Sequence, residues 1–257
     1  MINLPRILRL IALSLLVSAS LGAAQFKALL VTKTNGWHHD SGSAGVVALQ
    51  GLAKLHDFEI FWSDDMNRVM NDKWLANYDV VIFLLTTGDI LDKEQQGALE
   101  RFVQSGKGFV GIHSAADTEY EWDWYTKMVG HMFHIHPAVQ TATLEVTEPN
   151  FPGMDRFAKR FIFTDEWYEF DAPRSENLRY LLKLDNDSFE PAANWGTKQN
   201  QDGIDFRPVA WAHDYDGGRA FYTAMGHMAS TYADADFLHH VYGGIFWAAK
   251  GREFRAD

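Results

Sequence analysis

Reactive side chains follow directly after apolar segments at two places in this 257-residue chain. His113, Ser114 and Asp117 come after the apolar run at 109–112, and His227 ends a late apolar segment. Imidazole and carboxylate groups transfer protons or bind divalent metals near neutral pH. We predict that His113 acts as a general base or a metal ligand, and that Asp117 orients its ring. We assign His227 to the same catalytic set.

Other histidines occur in short motifs that supply ample material for a metal site, although their spacing is not a recognised signature. His134 and His136 would point to the same face of a strand but would diverge on a helix. Together with His38 they form the predicted set of metal ligands, because imidazole binds divalent ions such as zinc. No HExxH motif occurs, so the spacing does not identify the metal. A divalent metal such as zinc is the one cofactor that we expect.

Aromatic and polar side chains beside these motifs suit the recognition of a sugar. Sugar rings stack on indole rings, and sugar hydroxyls pair with polar side chains. The predicted substrate-binding residues are Trp37, His38, Thr87, Ser114, Trp122, Glu166 and Trp167. Tryptophan is also a common core residue, so core packing stays an open alternative for each of the three tryptophans.

The elements that position these residues follow from the apolar pattern. In the first half, strands are predicted at 26–32, 58–62, 79–85 and 109–112, with helices at 43–56 and 91–105. Alternating strands and helices with short connections are typical of a doubly wound, mostly parallel α/β sheet. The polar motifs would then meet at the carboxyl edge of that sheet. Later segments predict additional strands at 141–147, 160–164, 178–185, 208–213 and 218–227, and a closing helix at 234–250.

The N-terminal segment predicts export. Arg6 and Arg9 precede an apolar run at 11–17, and small residues follow at 18–24. This order is typical of a secretory signal peptide. We therefore expect a signal peptide at 1–24, cleaved near Ala24, and a single domain at 25–257. The mature protein would be periplasmic or secreted, without a stable membrane anchor.

Composition excludes several classes of function. The chain has no cysteine, which rules out disulfides and thiol catalysis. A formal net charge of −11 argues against nucleic acid as a partner. The sequence leaves the oligomeric state open.

Five motifs together resemble the ThuA-like (trehalose-utilisation) family. They are GIHSAADT, GHMFHIHP, DEWY, RPVAWAHDYDGGRAFYTAMGH and GGIFWA. The resemblance covers about residues 26–250. It implies a flavodoxin-like three-layer αβα sandwich of the class I glutamine amidotransferase type.

The resemblance also gives His113 a particular place. In glutamine amidotransferases the strand that corresponds to 109–112 ends in a nucleophilic cysteine, and here His113 takes that position. A cysteine-dependent amidotransferase is excluded, because the chain lacks the thiol. Ser114 is an alternative nucleophile, but the chain shows no G-x-S-x-G elbow there.

The family resemblance implies carbohydrate metabolism, with a disaccharide or a 3-keto-glycoside as substrate. A 3-keto group acidifies the proton at C2, so elimination followed by hydration can cleave the glycosidic bond. That chemistry needs a base, an acid and a group that polarises the ketone. His/Asp acid–base catalysis with assistance from a metal meets these needs. Two alternatives stay open, a non-catalytic sugar-binding protein and a metal-dependent hydrolase of another small molecule.

Overall fold

The structure, a computed structural model, describes residues 24–252. The predicted signal peptide, apart from Ala24, lies outside the described residues. Within 24–252, no helix is both long and apolar enough to cross a membrane.

The first half of the described chain alternates strands and helices, as the sequence predicts. The elements are β1 (Lys27–Val31), α1 (Gly42–Leu55), β2 (Glu59–Ser63), α2 (Met66–Val69), α3 (Asp72–Leu75), β3 (Val80–Leu84), α4 (Lys93–Gln104) and β4 (Gly108–Ile112). Both β3 and β4 are buried throughout, because helices cover both faces of a parallel sheet. A capping box between Asp92 and Gln95 fixes the start of α4.

The second half adds mainly strands. The elements are α5 (Asp123–Val129), β5 (Phe133–Ile135), β6 (Gln140–Val146), β7 (Arg160–Asp165), β8 (Glu169–Phe170), β9 (Arg179–Leu184), β10 (Pro208–Tyr215), β11 (Gly218–Thr223) and α6 (Ala235–Lys250). In the main sheet the strand order is β2-β1-β3-β4-β11-β10-β9-β6-β7. The strands from β2 to β11 in this order pair in parallel. The strands beyond β11 pair antiparallel and extend that parallel core.

Helices pack on both faces of the parallel strands, which makes three layers. Gly108 faces α6 so closely that an added Cβ would lie 2.4 Å from the carbonyl oxygen of Ala248. Phe109, the next residue of β4, packs its ring 5.7 Å from that of Tyr125 on α5. Successive residues of a strand point to opposite faces, so α5 and α6 lie on opposite sides of the sheet. The predicted flavodoxin-like αβα sandwich is confirmed.

The antiparallel half curls back toward the carboxyl edge of the parallel strands. Three strands separate β11 from β7 in the sheet order, yet Asp165 at the end of β7 accepts hydrogen bonds from the backbone amides of Gly226 (2.8 Å) and His227 (3.1 Å). Sheet twist and the register shifts between β9 and β10 near Pro208 favour such curvature. The end of the outermost strand therefore reaches the loop that follows β11.

Candidate functional site

Four side chains meet at the carboxyl edge of the sheet and form what we call the His–Glu cluster. It consists of His39 after β1, His113 after β4, Glu166 after β7 and His227 after β11. One nitrogen or oxygen atom from each lies within 4.8 Å of the corresponding atoms of the other three. His39, His113 and Glu166 are buried, and His227 is partly exposed. The cluster therefore draws on the ends of four separate strands.

His113 sits on a sharp turn that fixes the orientation of its ring. Its φ of 53° lies in the left-handed region, which is uncommon for a residue with a side chain. The hydroxyl of Tyr222 donates to its carbonyl oxygen (2.6 Å), and its Nδ1 lies 2.7 Å from the carbonyl oxygen of Ala224. A carbonyl oxygen only accepts, so Nδ1 carries the hydrogen. In the neutral ring Nε2 is then an unprotonated nitrogen that faces the cluster.

Glu166 is the centre of the cluster. Its Oε2 lies 3.4 Å from Nε2 of His113 and 3.3 Å from Nδ1 of His227, and its Oε1 lies 3.2 Å from Nδ1 of His136. Burial by itself would raise the pKa of Glu166. Hydrogen bonds from His113 and His227, formed when their facing nitrogens carry a proton, outweigh burial and lower the pKa well below its usual range. Glu166 is therefore a carboxylate that three imidazoles surround.

Asp165 holds the two segments of the site together. Its Oδ1 accepts from the backbone amides of Glu166 (3.0 Å) and His227 (3.1 Å). Its Oδ2 accepts from the amide of Gly226 (2.8 Å) and the hydroxyl of Thr231 (3.1 Å). These bonds join the end of β7 to the loop after β11 and so place Glu166 beside His227.

The two remaining imidazoles of the cluster differ in their proton affinity. A hydrogen bond with Glu166 raises the pKa of His227, against an opposing effect of burial. Burial, with smaller effects of the neighbouring His113 and His227, lowers the pKa of His39 to about 3. The ring of His39 lies edge-on to both, with centroids 5.0 and 5.4 Å away. His39 is therefore neutral near pH 7, which is the form that binds metals.

Aromatic rings surround the cluster on the side of β5 and β8. The ring of Tyr168 lies 4.3 Å from that of His113, and also 4.3 Å from that of Phe133. Trp195 is 47% exposed and packs edge-on against His136, with ring centroids 4.8 Å apart. His136 and His227 each expose about a quarter of their side chain, so the cluster opens to solvent between them.

The structure brings together only part of the predicted site. Among the predicted catalytic residues, His113 and His227 belong to the cluster. Asp117 does not orient His113, because the carbonyl of Ala224 takes that role. Asp117 instead accepts a hydrogen bond from the hydroxyl of Tyr120 (2.7 Å), and burial raises the pKa of Asp117.

Of the three predicted metal ligands, only His136 contacts the cluster. His134 lies on β5 and places its Nε2 3.0 Å from the carbonyl oxygen of Gln199. His38 is exposed and lines a cavity beside the cluster. The four residues whose geometry could hold a metal ion are His39, His113, Glu166 and His227, which differ from the predicted set of His38, His134 and His136.

The predicted substrate-binding residues differ in their burial and in their distance from the His–Glu cluster. Glu166 is in the cluster, and Ser114 contacts it through its Oγ, 3.4 Å from Nδ1 of His39. Thr87 is buried and donates to the carbonyl oxygen of Trp37, whose own side chain is 72% exposed.

The other two predicted tryptophans are buried. Trp122 donates to a carboxylate oxygen of Glu100 and Trp167 to the carbonyl oxygen of Gln140. Trp122 and Trp167 are therefore core residues, which was the alternative left open by the sequence, and neither exposes a face to a sugar.

Three residues of the site are missing from the sequence predictions. His39 adjoins His38, and the sequence motif gives no sign of which of the two turns inward. Asp165 precedes the predicted Glu166, and Tyr168 follows it closely in the motif DEWY. The signal that could have identified Asp165 and Tyr168 is their position beside Glu166 in this one motif.

A cavity of about 550 Å³ lies next to the cluster. It is bounded by the ends of β1, β2 and β3 and by the first turns of α1. His39 lines this cavity and is also a member of the His–Glu cluster. The cavity and the cluster are therefore adjacent spaces that share one imidazole.

The fold and the site define a class of flavodoxin-like α/β proteins with a histidine–carboxylate cluster at the carboxyl edge of the sheet. The model of the ThuA family, described as trehalose utilisation, matches residues 27–248. The chain therefore belongs to the ThuA family.

Solved structures agree with this assignment. A ThuA-like protein from Bacteroides uniformis has 20% identity and a TM-score of 0.72, with 90% of this chain and 95% of that chain covered. A ThuA-like protein from Parabacteroides merdae has 19% identity and a TM-score of 0.71, with 90% and 92% covered. At such identities the likeness shows the fold. No curated protein matches the chain significantly.

Proposed function

We propose that this protein is an exported, metal-assisted acid–base enzyme that acts on a disaccharide or a 3-keto-glycoside. The observation that carries the proposal is the convergence of three imidazoles and a carboxylate at one edge of the sheet. Burying such groups costs stability, and functional sites are where proteins accept that cost. This favours an enzyme over a sugar-binding protein without catalysis. The family's description, trehalose utilisation, supports a sugar as the substrate.

The donor set fits a divalent cation such as zinc. Imidazole nitrogen and carboxylate oxygen are its common ligands, and the bond from Nδ1 of His113 to Ala224 is the outer contact that fixes a ligand's tautomer. His39, His113, Glu166 and His227 would hold the ion. When bound, it would polarise a carbonyl group such as a 3-keto oxygen.

The protein's own side chains supply the proton transfers. Nδ1 of His136 faces two acceptors, the carbonyl oxygen of Pro137 (2.9 Å) and Oε1 of Glu166 (3.2 Å), so Nδ1 carries the hydrogen. The basic nitrogen Nε2 of this partly exposed ring is then free to take the proton from C2 of the sugar. We propose Asp117, whose pKa burial raises, as the second group that exchanges a proton.

The reaction balances as an elimination followed by a hydration. The base removes the C2 proton, the C1–O bond breaks, and the leaving oxygen takes up a proton. Water then adds across the C1–C2 double bond. Removal of the C2 proton needs the neighbouring ketone, so an unoxidised disaccharide would not react by this route.

The N-terminal pattern supports the proposed export. The arginines, apolar run and small residues of 1–24 support export to the periplasm or the medium. The acidic net charge opposes binding to nucleic acid.

Turnover of 3-keto-trehalose, with zinc or with a chelator, tests the proposal. We expect release of a monosaccharide, with a loss of at least about 100-fold in His113→Ala. His134→Ala is the matched control, because its ring bonds to the backbone outside the cluster. Absence of turnover with every 3-keto-glycoside, or full turnover in His113→Ala, would overturn the proposal. Saturable sugar binding without product would support the sugar-binding alternative.

A further inference from the structure

The cavity beside the His–Glu cluster has the position and size of a ligand site. Ligands of open α/β sheets bind at the carboxyl ends of the strands, where the strand order reverses. Here the order reverses between β1 and β3, and the cavity is bounded by residues that follow both strands. Its volume of about 550 Å³ lies in the range of small-molecule pockets.

The lining of this cavity combines an apolar floor with a polar rim. Val46 and Leu84 provide apolar surface, whereas Lys33, Gln50 and Asp64 provide hydrogen-bonding groups. Lys33 donates, Asp64 accepts, and the amide of Gln50 does both. A sugar ring needs this combination, because its faces are apolar and its hydroxyl groups both donate and accept.

One wall of the cavity is an indole ring in a fixed orientation. Trp62 lies on the edge strand β2 and is 48% exposed. Its Nε1 donates to the hydroxyl of Thr32 (2.8 Å), which holds the ring in place. An immobilised, half-exposed indole is a stacking surface that loses little entropy when a ligand binds.

His39 links the cavity to the proposed reaction site, because it lines the cavity and belongs to the His–Glu cluster. A ring that occupies the cavity would place its linkage beside His39, and a second ring would then lie over the cluster. His38, which is exposed and outside the cluster, also lines the cavity and can contact the same ring.

We infer that this cavity is the subsite for the second ring of a two-ring sugar, the ring on the leaving-group side of the bond that breaks. The inference deepens the proposed function and rests on it for the identity of the first ring. It makes the protein selective for disaccharides over single-ring glycosides. Trp62 is the stacking residue of the subsite, and Lys33 and Asp64 bind its hydroxyls.

The chain offers a matched pair of glycines for the test. Gly42 lines the cavity at the start of α1, and Gly51 lies farther along the same helix outside the lining. An added Cβ meets nothing within 4 Å at either position. We expect Gly42→Phe to put a ring at the cavity, because Gly42 lines it, whereas Gly51→Phe puts the same ring elsewhere on α1.

Binding of trehalose and of methyl glucoside, measured by calorimetry on zinc-loaded protein, is the experiment. We expect trehalose to bind at least tenfold more tightly than methyl glucoside, and Gly42→Phe to remove that preference. Trp62→Ala should weaken trehalose binding about tenfold, and Gly51→Phe should leave the preference intact. Thermal unfolding temperatures of both phenylalanine variants close to that of the wild-type protein would show that the fold is unharmed.

The outcomes separate this inference from the proposed function. If trehalose binding depends on Gly42 but no 3-keto-glycoside turns over, the subsite stands and the proposed reaction fails. If 3-keto-trehalose turns over and Gly42→Phe keeps the preference for two rings, the subsite is wrong and the reaction stands. If the wild-type protein does not prefer two rings, the subsite is overturned as well.

Discussion

Nε2 of His113 lies 3.4 Å from Oε2 of Glu166, while Nδ1 of the same ring lies 2.7 Å from the carbonyl oxygen of Ala224. Because the carbonyl fixes the hydrogen on Nδ1, a neutral His113 presents a lone pair to a carboxylate oxygen. Two acceptors in this position repel each other unless a proton or a cation lies between them. A proton or a cation between Nε2 and Oε2 would remove this repulsion.

Removing either member of this pair should weaken zinc binding. We expect at least about a 100-fold loss of affinity in His113→Ala and in Glu166→Gln, because even outer contacts of metal ligands contribute 10–100-fold. His134→Ala should stay within about twofold, since its ring bonds to the carbonyl of Gln199. Equilibrium dialysis with a competing chelator measures these affinities. A loss in His134→Ala without a loss in His113→Ala would instead favour the ligand set predicted from sequence, His38, His134 and His136.

Gly226→Ala should both lower the stability of the protein and weaken zinc binding by the His–Glu cluster. The φ of Gly226 is +119°, and an added Cβ would lie 2.8 Å from the hydroxyl oxygen of Tyr232. We expect a loss of about 2 kcal/mol in the free energy of unfolding, with weaker zinc binding because His227 is the next residue. Urea denaturation measures the stability.

Gly51→Ala is the control for Gly226→Ala, because the same substitution should stabilise the protein at this position. Its added Cβ meets nothing within 4 Å in the middle of α1, so higher helix propensity should stabilise the protein by about 0.5–1 kcal/mol. Unchanged stability in Gly226→Ala would mean that neither the positive φ of Gly226 nor the contact with Tyr232 restricts the turn after β11.

The parallel half of the fold could be predicted from sequence because its signals are local. Buried strands such as β3 and β4 are continuous apolar runs, and the Asp92–Gln95 capping box marks the start of α4. The polar residues at the ends of these strands follow from the same pattern. The pattern therefore predicts His113 at the carboxyl edge of the sheet, and the structure has it there, directly after β4.

The rest of the site depends on contacts that no local pattern encodes. Glu166 meets His113 because the antiparallel strands curl back until Asp165 bonds to the loop that contains His227. The curvature arises from twist accumulated over several strands. Likewise, the sequence pair His38–His39 does not reveal which ring turns inward, because that choice depends on the packing of His39 against His113 and His227.

Ser114→Ala distinguishes acid–base chemistry from nucleophilic chemistry. The Oγ of Ser114 lies 3.4 Å from Nδ1 of His39, a long contact that orients a ring more than it activates a hydroxyl. We expect kcat/KM for 3-keto-trehalose to fall by less than about tenfold. A loss above about 1000-fold, together with a trapped covalent intermediate by mass spectrometry, would show a serine nucleophile instead.

His240 should make the protein less stable in acid. It is fully buried on α6, with Nε2 3.2 Å from the hydroxyl oxygen of Thr223. Burial, with a smaller effect of the neighbouring His239, lowers the pKa of His240 to about 3. The unfolded state, with a pKa near 6.5, therefore takes up a proton first as the pH falls. The stability that depends on neutral His240 is complete above about pH 6.5 and is lost progressively toward pH 3.

The size of this effect follows from the same two pKa values. Between pH 6.5 and pH 5 the loss from His240 alone should be about 2 kcal/mol, and His240→Phe should flatten the dependence by about that amount. Phe157→Leu is the control, because it alters packing beside His240 without removing a titrating group. Urea denaturation of the three proteins from pH 4.5 to pH 8 measures the slopes. If the wild-type and His240→Phe curves run parallel while their stabilities differ, His240 contributes by packing alone and its protonation does not limit the acid stability of the fold.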